Sequence, residues 1–231
     1  MIITDILTSS DWQTYDNSTV LPYHRTHVFR VCVSSLISRF ETGSLLTEEE
    51  KIRGNRYLRQ EDKNSFKVRR SVLKILIASL LSIPTDEVVF KSYNNKKPHI
   101  EGIHFNTSHS RDLALIAIST AIIGVDIEFE QPDFDYTDIS LSALTEDEQA
   151  FIKHNSNPIS NFYTIWTRKE ALLKASGEGL VDQMNQVSTM ERDVSRYNHK
   201  YRLLSLKTDQ KYNMSIAINQ EEPDISYWSY T

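Results

Sequence analysis

The sequence has few of the residues that build disulfides, linkers or membrane spans. Its one cysteine, Cys32, excludes an internal disulfide, and because it lies in the apolar run VFRVCV we expect a buried structural thiol. The longest nearly apolar stretch, Leu113 to Val125, has 13 residues and is too short to cross a bilayer. No tract rich in proline, glycine or serine divides the chain, and the first residues lack the basic region of a secretory signal. These absences predict a globular protein of the cytoplasm with no membrane partner.

Positive charge is concentrated in one segment of an otherwise acidic chain. Between residues 51 and 74, nine basic residues face only Glu61 and Asp62, a net charge of +7, so a total of -5 leaves -12 for the rest. Such a segment indicates a local anion site and argues against a surface that coats nucleic acid. A solvated basic helix face is the simpler alternative.

Four short patterns recur in the same order at a nearly constant spacing of 95 to 100 residues. The matching pairs are LTEEEK (from residue 46) with LTEDEQ (144), FKVRRSVLKILIASLL (66) with NFYTIWTRKEALLKA (161), LALIAIST (113) with NMSIAINQ (213), and HVFRVCV (27) with GVDIEFE (124). Both members of the first pair fit a capping box at a helix start. We therefore predict two similar α+β halves joined near residues 120–124.

The segment GVDIEFE, residues 124–130, places three carboxylates on one strand face. Its odd-numbered positions are apolar, so Asp126, Glu128 and Glu130 share the other face, about 6.5 Å apart from one to the next at the rise of a strand. Neighbouring carboxylates repel unless water or a cation lies between them. Because the segment lies near the junction of the halves, where small ligands usually bind, we expect these acids at a ligand cleft.

The segment WTRKEALLKASGEGL, residues 166–180, places an acid and a base on one helix face. Trp166, Glu170 and Lys174 lie four residues apart, and Gly177 and Gly179 suit a left-handed helix end and a turn. The simpler interpretation is an i,i+4 ion pair worth about 0.3–0.5 kcal/mol. The tryptophan and the glycine turn favour a functional pair.

Two polar segments precede the predicted strand at residue 113. HFNTSHS offers Ser108 and His109 with further amide and hydroxyl groups, which suit an oxyanion or phosphate, although a loop with ordinary turn hydrogen bonds is the alternative. A serine hydrolase is disfavoured because G-x-S-x-G is absent. In NNKKPHIEG, Lys97 and Pro98 lie in a predicted turn, where the lysine faces either a phosphate or water.

Together these residues predict phosphoryl chemistry or diphosphate cleavage. Asp126, Glu128 and Glu170 offer the oxygen ligands with which proteins hold Mg²⁺ beside substrate phosphates. The basic partners of a polyanionic ligand would be Arg53, Lys97, His109 and Lys174.

The motifs FNTSHS, GVDIE and WTRKEALLKASGEGL, in this order and at these separations, resemble those of the 4'-phosphopantetheinyl transferases of the surfactin-synthetase-activating (Sfp) type. The likeness runs from about His27 to Tyr212. It implies an α/β (α+β) pseudo-dimer of two similar halves, residues 1–121 and 122–231, each a small mostly antiparallel sheet packed with a long helix. The second half would carry the metal site.

The resemblance also implies an activity, that of a holo-[acyl-carrier-protein] synthase type transferase. The phosphopantetheine arm of coenzyme A would be transferred, with Mg²⁺, to a serine of an apo acyl or peptidyl carrier protein, releasing adenosine 3',5'-bisphosphate. A monomer is expected, because the internal duplication already supplies a cleft between two halves, and nucleic acid is not an expected partner.

Roles for single residues follow from the same resemblance. Glu170 would take the proton of the incoming serine, directly or through a water, and Lys174 would neutralise charge on the diphosphate. The metal ligands would be Asp126, Glu128 and Glu170. The phosphates of coenzyme A would be contacted by Arg53, Ser108, His109 and Lys174, and its adenine by Lys97 and Pro98. Glu130 is expected to lie one pleat beyond the metal.

Two other functions use the same residues. A binding module that keeps the fold without turnover is disfavoured because every motif acid and lysine is present. A Mg²⁺-dependent nuclease or nucleotidyl transferase is disfavoured by the acidic remainder of the chain, and its binding would weaken steeply with salt.

Overall fold

The computed structural model describes residues 2, 4–16, 18–91, 98–178, 184–208 and 211–231. The strands are β1 (Thr4–Leu7), β2 (Gln13–Tyr15), β3 (Thr26–Cys32), β4 (His104–Ser110), β5 (Leu113–Ser119), β6 (Ile123–Phe129), β7 (Asp193–Arg196), β8 (His199–Thr208), β9 (Tyr212–Ile218) and β10 (Ile225–Tyr230). The helices are α1 (Ile37–Phe40), α2 (Glu48–Asn55), α3 (Gln60–Leu81), α4 (Thr137–Ala143), α5 (Glu146–His154) and α6 (Pro158–Ser176). None of these helices is long and apolar enough to cross a membrane.

The predicted repeat is confirmed by the order of the elements. The first half runs β3, α2, α3, β4, β5, and the second runs β6, α5, α6, β8, β9. Both predicted capping boxes form, Thr47 with Glu50 at α2 and Thr145 with Glu148 at α5. The fold class predicted from the sequence, a mixed α/β pseudo-dimer with mostly antiparallel sheets, is therefore confirmed.

The first and last strands cross between the halves. One sheet has the order β1-β8-β9-β6, with β7 also on β8, and the other has the order β2-β10-β3-β5-β4. Parallel pairing joins β1 to β8 and β10 to both β2 and β3. The division of the chain into residues 1–121 and 122–231 stays a prediction. In the structure, β1 of the first half pairs in the sheet of the second half, and β10 of the second half pairs in the sheet of the first half.

Strand alternation produces four layers. On β5, Leu115 faces a core shared with β6 and β9, whereas Ile116 faces the core under α3. On β6, Val125 and Ile127 face the shared core. The even-numbered residues of β6 thus point to the opposite face, where α6 lies.

Gly124 allows α6 to lie directly on β6. A Cβ atom at Gly124 would overlap the carbonyl oxygen of Ala171 and the amide nitrogen of Ala175, and would stand 2.9 Å from the Cα of Ala175. The strand and helix backbones are thus in contact. This contact fixes the distance between the side chains that β6 and α6 direct toward each other. Gly177 ends α6 with φ of 78°, as predicted, while Gly179 lies outside the described residues.

Two consecutive cations of α6, Arg168 and Lys169, are buried and bind the segment that follows the helix. The ammonium of Lys169 donates to the carbonyl oxygen of Met184 at 2.8 Å and to that of Val187, and lies 2.9 Å from a carboxylate oxygen of Glu148. Arg168 donates to two further carbonyl oxygens of this segment. These bonds hold α6, the start of α5 and residues 184–191 together.

Replacing Lys169 by alanine is expected to lower the free energy of unfolding by about 3–5 kcal/mol, because Glu148 would stay buried without its cation. Urea unfolding measures the change. The control is Lys51→Ala, which breaks an exposed pair with Glu48 and should change stability by about 0.5 kcal/mol or less. Equal effects of the two substitutions would contradict this assignment.

Cys32 is exposed, so the prediction of a buried thiol is wrong. In β3 the odd-numbered Phe29 and Val31 face the core under α3, and Cys32 therefore falls on the other face at the very end of the strand. There the core between the sheets does not cover it. Its Sγ lies 3.3 Å from Oδ2 of Asp112.

Candidate active site

The two sheets meet along their edge strands, β4 and β6. Oδ1 of Asn106 accepts the amide hydrogen of Val125 at 3.0 Å, and Oγ of Ser110 accepts that of Phe129 at 3.1 Å. The backbone of β4 pairs with β5 and that of β6 with β9, so side chains of β4 bridge the two edge strands. The result is a cleft lined by polar side chains of both halves.

Ser108 and His109 lie within strand β4, which excludes the alternative of a loop with ordinary turn hydrogen bonds. Asn106, Ser108 and Ser110 alternate along the strand and all reach β6. Thr107 and His109 make the other face of the strand polar as well. The strand therefore lacks the apolar alternation that identifies strands in a sequence.

Asp126 is buried at the centre of the cleft and is paired with Lys174. Its Oδ1 accepts hydrogen bonds from the ammonium of Lys174 at 2.6 Å and from the hydroxyl of Ser108 at 2.7 Å. Lys174 also donates to Ser108 at 3.0 Å. Burial raises the pKa of Asp126, and the charge of Lys174 opposes that rise. Its second oxygen, Oδ2, is buried and has no hydrogen-bond partner within the described parts of the chain.

Glu128 and Glu170 flank this pair. The hydroxyl of Ser110 donates to Oε2 of Glu128 at 2.9 Å. Burial, together with the negative charge of Asp126, raises the pKa of Glu128 to about 7. Burial and the same negative charge raise the pKa of Glu170, whereas Lys174 lowers it. The structure thus brings the three acids into one cleft, where their charges repel one another.

The donor set fits a divalent cation that prefers oxygen ligands. Three carboxylates are hard ligands, and Oδ2 of Asp126 is a buried oxygen that lacks a partner among the described residues. Within those same residues, no three histidine, cysteine or acidic side chains are already gathered closely enough to hold a metal ion. The set therefore suits Mg²⁺ by charge and donor type, and its side chains would have to draw together around the ion.

Glu130, the next acid along β6, has a cation of its own. Its Oε2 accepts hydrogen bonds from Lys207 at 2.8 Å and from Asn213 at 3.2 Å. These bonds lower its pKa, although burial opposes them by raising it. The expectation that Glu130 lies outside the metal site stays a prediction.

A cavity of about 230 Å³ opens between α2, α3 and β4. Its lining includes Arg53, Tyr57, Arg69, Arg70, Pro98 and Thr107. Two of the predicted contacts to coenzyme A, Arg53 and Pro98, therefore share one cavity. Lys97 lies outside the described residues, and its predicted contact with the adenine stays a prediction.

Arg69 and Arg70 were not distinguished from the rest of the basic segment by sequence. Burial lowers the pKa of both guanidinium groups. Arg70 lies 4.5 Å over the ring of Phe90 and 3.4 Å from a carboxylate oxygen of Glu50. Nε of Arg69 donates to Oγ of Ser65 at 3.2 Å. Both are thus held in place on the wall of the cavity by contacts with other residues.

His109 connects the cavity with the acids of the cleft. Although it is exposed at the strand edge, partial enclosure by the protein and the positive charges of Arg69 and Lys174 lower its pKa to about 4. Its imidazole is therefore neutral at pH 7. Strand β4 links the two sites, because Asn106 and Thr107 line the cavity and the next residue, Ser108, bonds Asp126 and Lys174.

This arrangement defines a cleft lined by acidic and basic side chains between two related halves. Two family models match adjoining parts of the chain: "4'-phosphopantetheinyl transferase, N-terminal" over residues 37–121 and "4'-phosphopantetheinyl transferase superfamily" over residues 122–223. The chain belongs to this superfamily, a family of transferase enzymes.

Individual relatives agree with the family models. A Synechocystis sp. protein named for 4'-phosphopantetheinyl transferase activity is 34% identical over 68% of this chain and 66% of its own length. 4'-phosphopantetheinyl transferase HetI of Nostoc sp. is 28% identical over 67% of this chain and 69% of its own length. 4'-phosphopantetheinyl transferase Sfp of Bacillus subtilis is 26% identical over 59% of this chain and 62% of its own length. The matches thus span about two thirds of these relatives. A crystal structure of the holo-[acyl-carrier-protein] synthase of Thermotoga maritima is similar over 44% of this chain and 65% of that one, with a TM-score of 0.32 and 11% identity. This similarity is too limited to carry an argument.

Proposed function

We propose that the protein transfers the 4'-phosphopantetheine arm of coenzyme A to a serine of an apo acyl or peptidyl carrier protein. The observation that carries this proposal is the continuity between the Asp126–Lys174–Ser108 cluster and the arginine cavity across β4. A ligand with an adenine nucleotide at one end and a reactive diphosphate at the other matches these two neighbouring sites. The names of the relatives support the same reaction.

The cavity is suited to the nucleotide end of coenzyme A. Arg53 and Arg69 supply positive charge, and Tyr57 and Pro98 supply flat apolar surfaces for a base. His109 lies within electrostatic range of Arg69 and can donate a hydrogen bond to a phosphate. Ser108, which bonds Asp126 and Lys174, lies where the chain of phosphates would reach the acids.

The chemical step replaces one phosphorus–oxygen bond by another. The carrier serine oxygen attacks the phosphorus that bears the pantetheine arm, and the bond from that phosphorus to the bridging oxygen breaks. The bridging oxygen leaves with adenosine 3',5'-bisphosphate, and the serine proton passes to Glu170, directly or through a water. Because burial raises the pKa of Glu170, its carboxylate is a stronger base than an exposed one. The ammonium of Lys174 neutralises charge that develops on the leaving oxygen.

Mg²⁺, when bound by Asp126, Glu128 and Glu170, would supply a Lewis acid that neutralises the diphosphate. The pKa of Glu128 is raised, and Oδ2 of Asp126 is buried without a hydrogen-bond partner among the described residues. A cation bound beside them would stabilise both carboxylates. Lys174 provides part of that charge to Asp126 in the structure.

Mass spectrometry tests the function directly. The protein is incubated with coenzyme A, Mg²⁺ and either an apo acyl carrier protein or an apo peptidyl carrier domain, and the carrier is then weighed. We expect the mass of the carrier to rise by one phosphopantetheine group. A carrier whose acceptor serine is replaced by alanine serves as the control and should stay unmodified. Absence of the mass gain across several carriers would refute the proposal.

The binding of coenzyme A is expected to raise the pKa of His109 by more than about one unit, because a nearby phosphate stabilises the imidazolium. In the free protein the ring is neutral above a pH of about 4, so coenzyme A should cause proton uptake in the range above that value. NMR titration of the histidine resonances measures the shift. Dephospho-coenzyme A, which lacks the 3'-phosphate, should produce a smaller one. An unchanged His109 titration in the saturated complex would exclude its contact with a phosphate.

A further inference from the structure

A surface beside the cavity combines exposed apolar and basic side chains. We call it the α2–α3 corner and define it by Ile52, Arg56, Leu58 and Arg59. Leu58 is 98% exposed and Ile52 is 58% exposed, and both arginines are exposed as well. No ion pair found in the described residues includes Arg56 or Arg59. The corner thus presents apolar surface and two arginines to solvent.

The fold gives the exposed leucine no structural role. Leu58 lies between the end of α2 and the start of α3, and α3 begins at Gln60 without a side-chain cap from Arg59. Its neighbour Tyr57, in contrast, turns toward the protein and lines the cavity. Single exposed apolar residues are common, but a leucine between two arginines at the rim of a site indicates a contact surface.

The corner lies beside the cavity, because Tyr57, which lines the cavity, stands between Arg56 and Leu58 in the chain. Along β4 the cavity wall leads directly to Ser108, which bonds Asp126 and Lys174. A protein bound to the corner would therefore lie next to the cavity whose β4 wall continues into the reactive end of the cleft. A different flank, around α4 and α5, carries the exposed acids Asp133, Asp135, Asp138, Glu146 and Asp147.

Charge complementarity selects the partner. An acidic protein would be repelled by the flank around α4 and α5 and attracted by Arg56 and Arg59. We propose that the α2–α3 corner is the docking surface for the carrier protein, with the two arginines facing acidic residues of the carrier and Leu58 packing against an apolar side chain near its acceptor serine. This inference rests on the proposed function. A nucleic acid would use the arginines but gain little from Leu58, and is therefore the less favoured occupant.

Kinetics of a charge-reversed corner test the inference. In Arg56→Glu/Arg59→Glu, the KM for the apo carrier protein should rise about tenfold or more, while the KM for coenzyme A and the kcat at saturating carrier should change less than about twofold. Leu58→Asn should raise the same KM about fivefold. The matched controls are Lys153→Glu/Lys200→Glu for charge and Val20→Asn for an 85% exposed apolar residue, and both should keep wild-type values. Thermal unfolding confirms that the variants are folded.

A compensating change in the carrier sharpens the test. Carrier variants with acidic residues replaced by lysine should bind wild-type protein poorly and regain affinity for Arg56→Glu/Arg59→Glu. If wild-type protein modifies the carrier and the corner variants keep its KM, the docking inference fails while the proposed function stands.

A binding assay covers the case in which no transfer is seen. Fluorescence anisotropy of a labelled apo carrier then measures docking by itself: binding that requires the corner supports the inference, and binding that does not require it overturns it. A labelled DNA duplex is measured in parallel. Loss of DNA binding in the charge-reversed variant without any change in carrier binding would assign the corner to nucleic acid and overturn the inference.

Discussion

Replacing Glu170 by glutamine is expected to lower kcat for carrier modification by about 10²- to 10⁴-fold with little change in the Kd of coenzyme A. Glutamine keeps the size of the side chain and one oxygen but cannot accept the serine proton. The loss should therefore fall on the transition state, where that proton moves, and not on the bound substrate. Single-turnover kinetics measure the chemical step, and isothermal titration calorimetry measures the binding of coenzyme A.

Glu130→Gln is the matched control for this prediction. Glu130 lies on the same face of β6 as the acids of the cleft but bonds Lys207 and Asn213. Its substitution should leave both kcat and the Mg²⁺ dependence within about threefold of the wild type. Loss of coenzyme A affinity as large as the loss of kcat in Glu170→Gln would show that Glu170 acts mainly in binding. Loss of Mg²⁺ dependence in Glu130→Gln would show that Glu130 is a metal ligand.

Replacing Gly124 by alanine is expected to lower the free energy of unfolding by about 3 kcal/mol and to reduce transfer by at least about tenfold. The added methyl group would overlap backbone atoms of Ala171 and Ala175, which cannot move independently of α6. Relief of the overlap must therefore separate α6 from β6. Asp126 and Lys174 lie on either side of this contact, so the same movement that destabilises the protein also disturbs the acids and lysine of the cleft.

Gly177→Ala separates the effect of overlap from that of backbone conformation. Gly177 has φ of 78° and no atom within 4 Å of an added Cβ, so alanine there should cost only about 1–2 kcal/mol through its conformation. Urea unfolding and the transfer assay are run on both variants. A Gly124→Ala protein with wild-type stability and full transfer would show that the close contact of β6 with α6 is not needed.

The repeated core was predictable from sequence because its signals are local. A capping box such as Thr47 with Glu50 requires only a hydroxyl and a carboxylate three residues apart, and Asp126 and Glu128 alternate with apolar residues on a strand that has one buried face. Matching such signals at a constant spacing identified the two halves. Glu170 was joined to these acids because repelling carboxylates need a shared cation, and family resemblance gave the same set, although no local pattern encodes that approach of strand and helix.

Long-range pairing and edge geometry account for what was missed. The parallel pairing of β1 with β8 and of β10 with β3 joins segments about two hundred residues apart, and nothing within either segment specifies its partner. Cys32 was misjudged because a strand end can be apolar in sequence yet uncovered. In β4, Thr107 and His109 are polar although they alternate with the side chains that bond β6, and this removed the apolar alternation that would have identified the strand.

The cavity arginines illustrate a limit of charge counting. Arg69 and Arg70 belong to the same basic run as the exposed Arg56 and Arg59, and their number alone does not separate a binding wall from a solvated surface. A helical projection could have done so in part, because Phe66 and Leu73 place apolar surface on the same side of α3 as Arg69 and Arg70.

A crystal structure of the protein with coenzyme A and Mn²⁺, recorded at the manganese absorption edge, tests the central claim most directly. We expect an anomalous peak about 2.0–2.3 Å from a carboxylate oxygen of Asp126, with ligands from Glu170 and from the diphosphate of coenzyme A, whose adenine end lies in the arginine cavity. Coenzyme A bound elsewhere, or a manganese peak remote from Asp126 and Glu170, would contradict it.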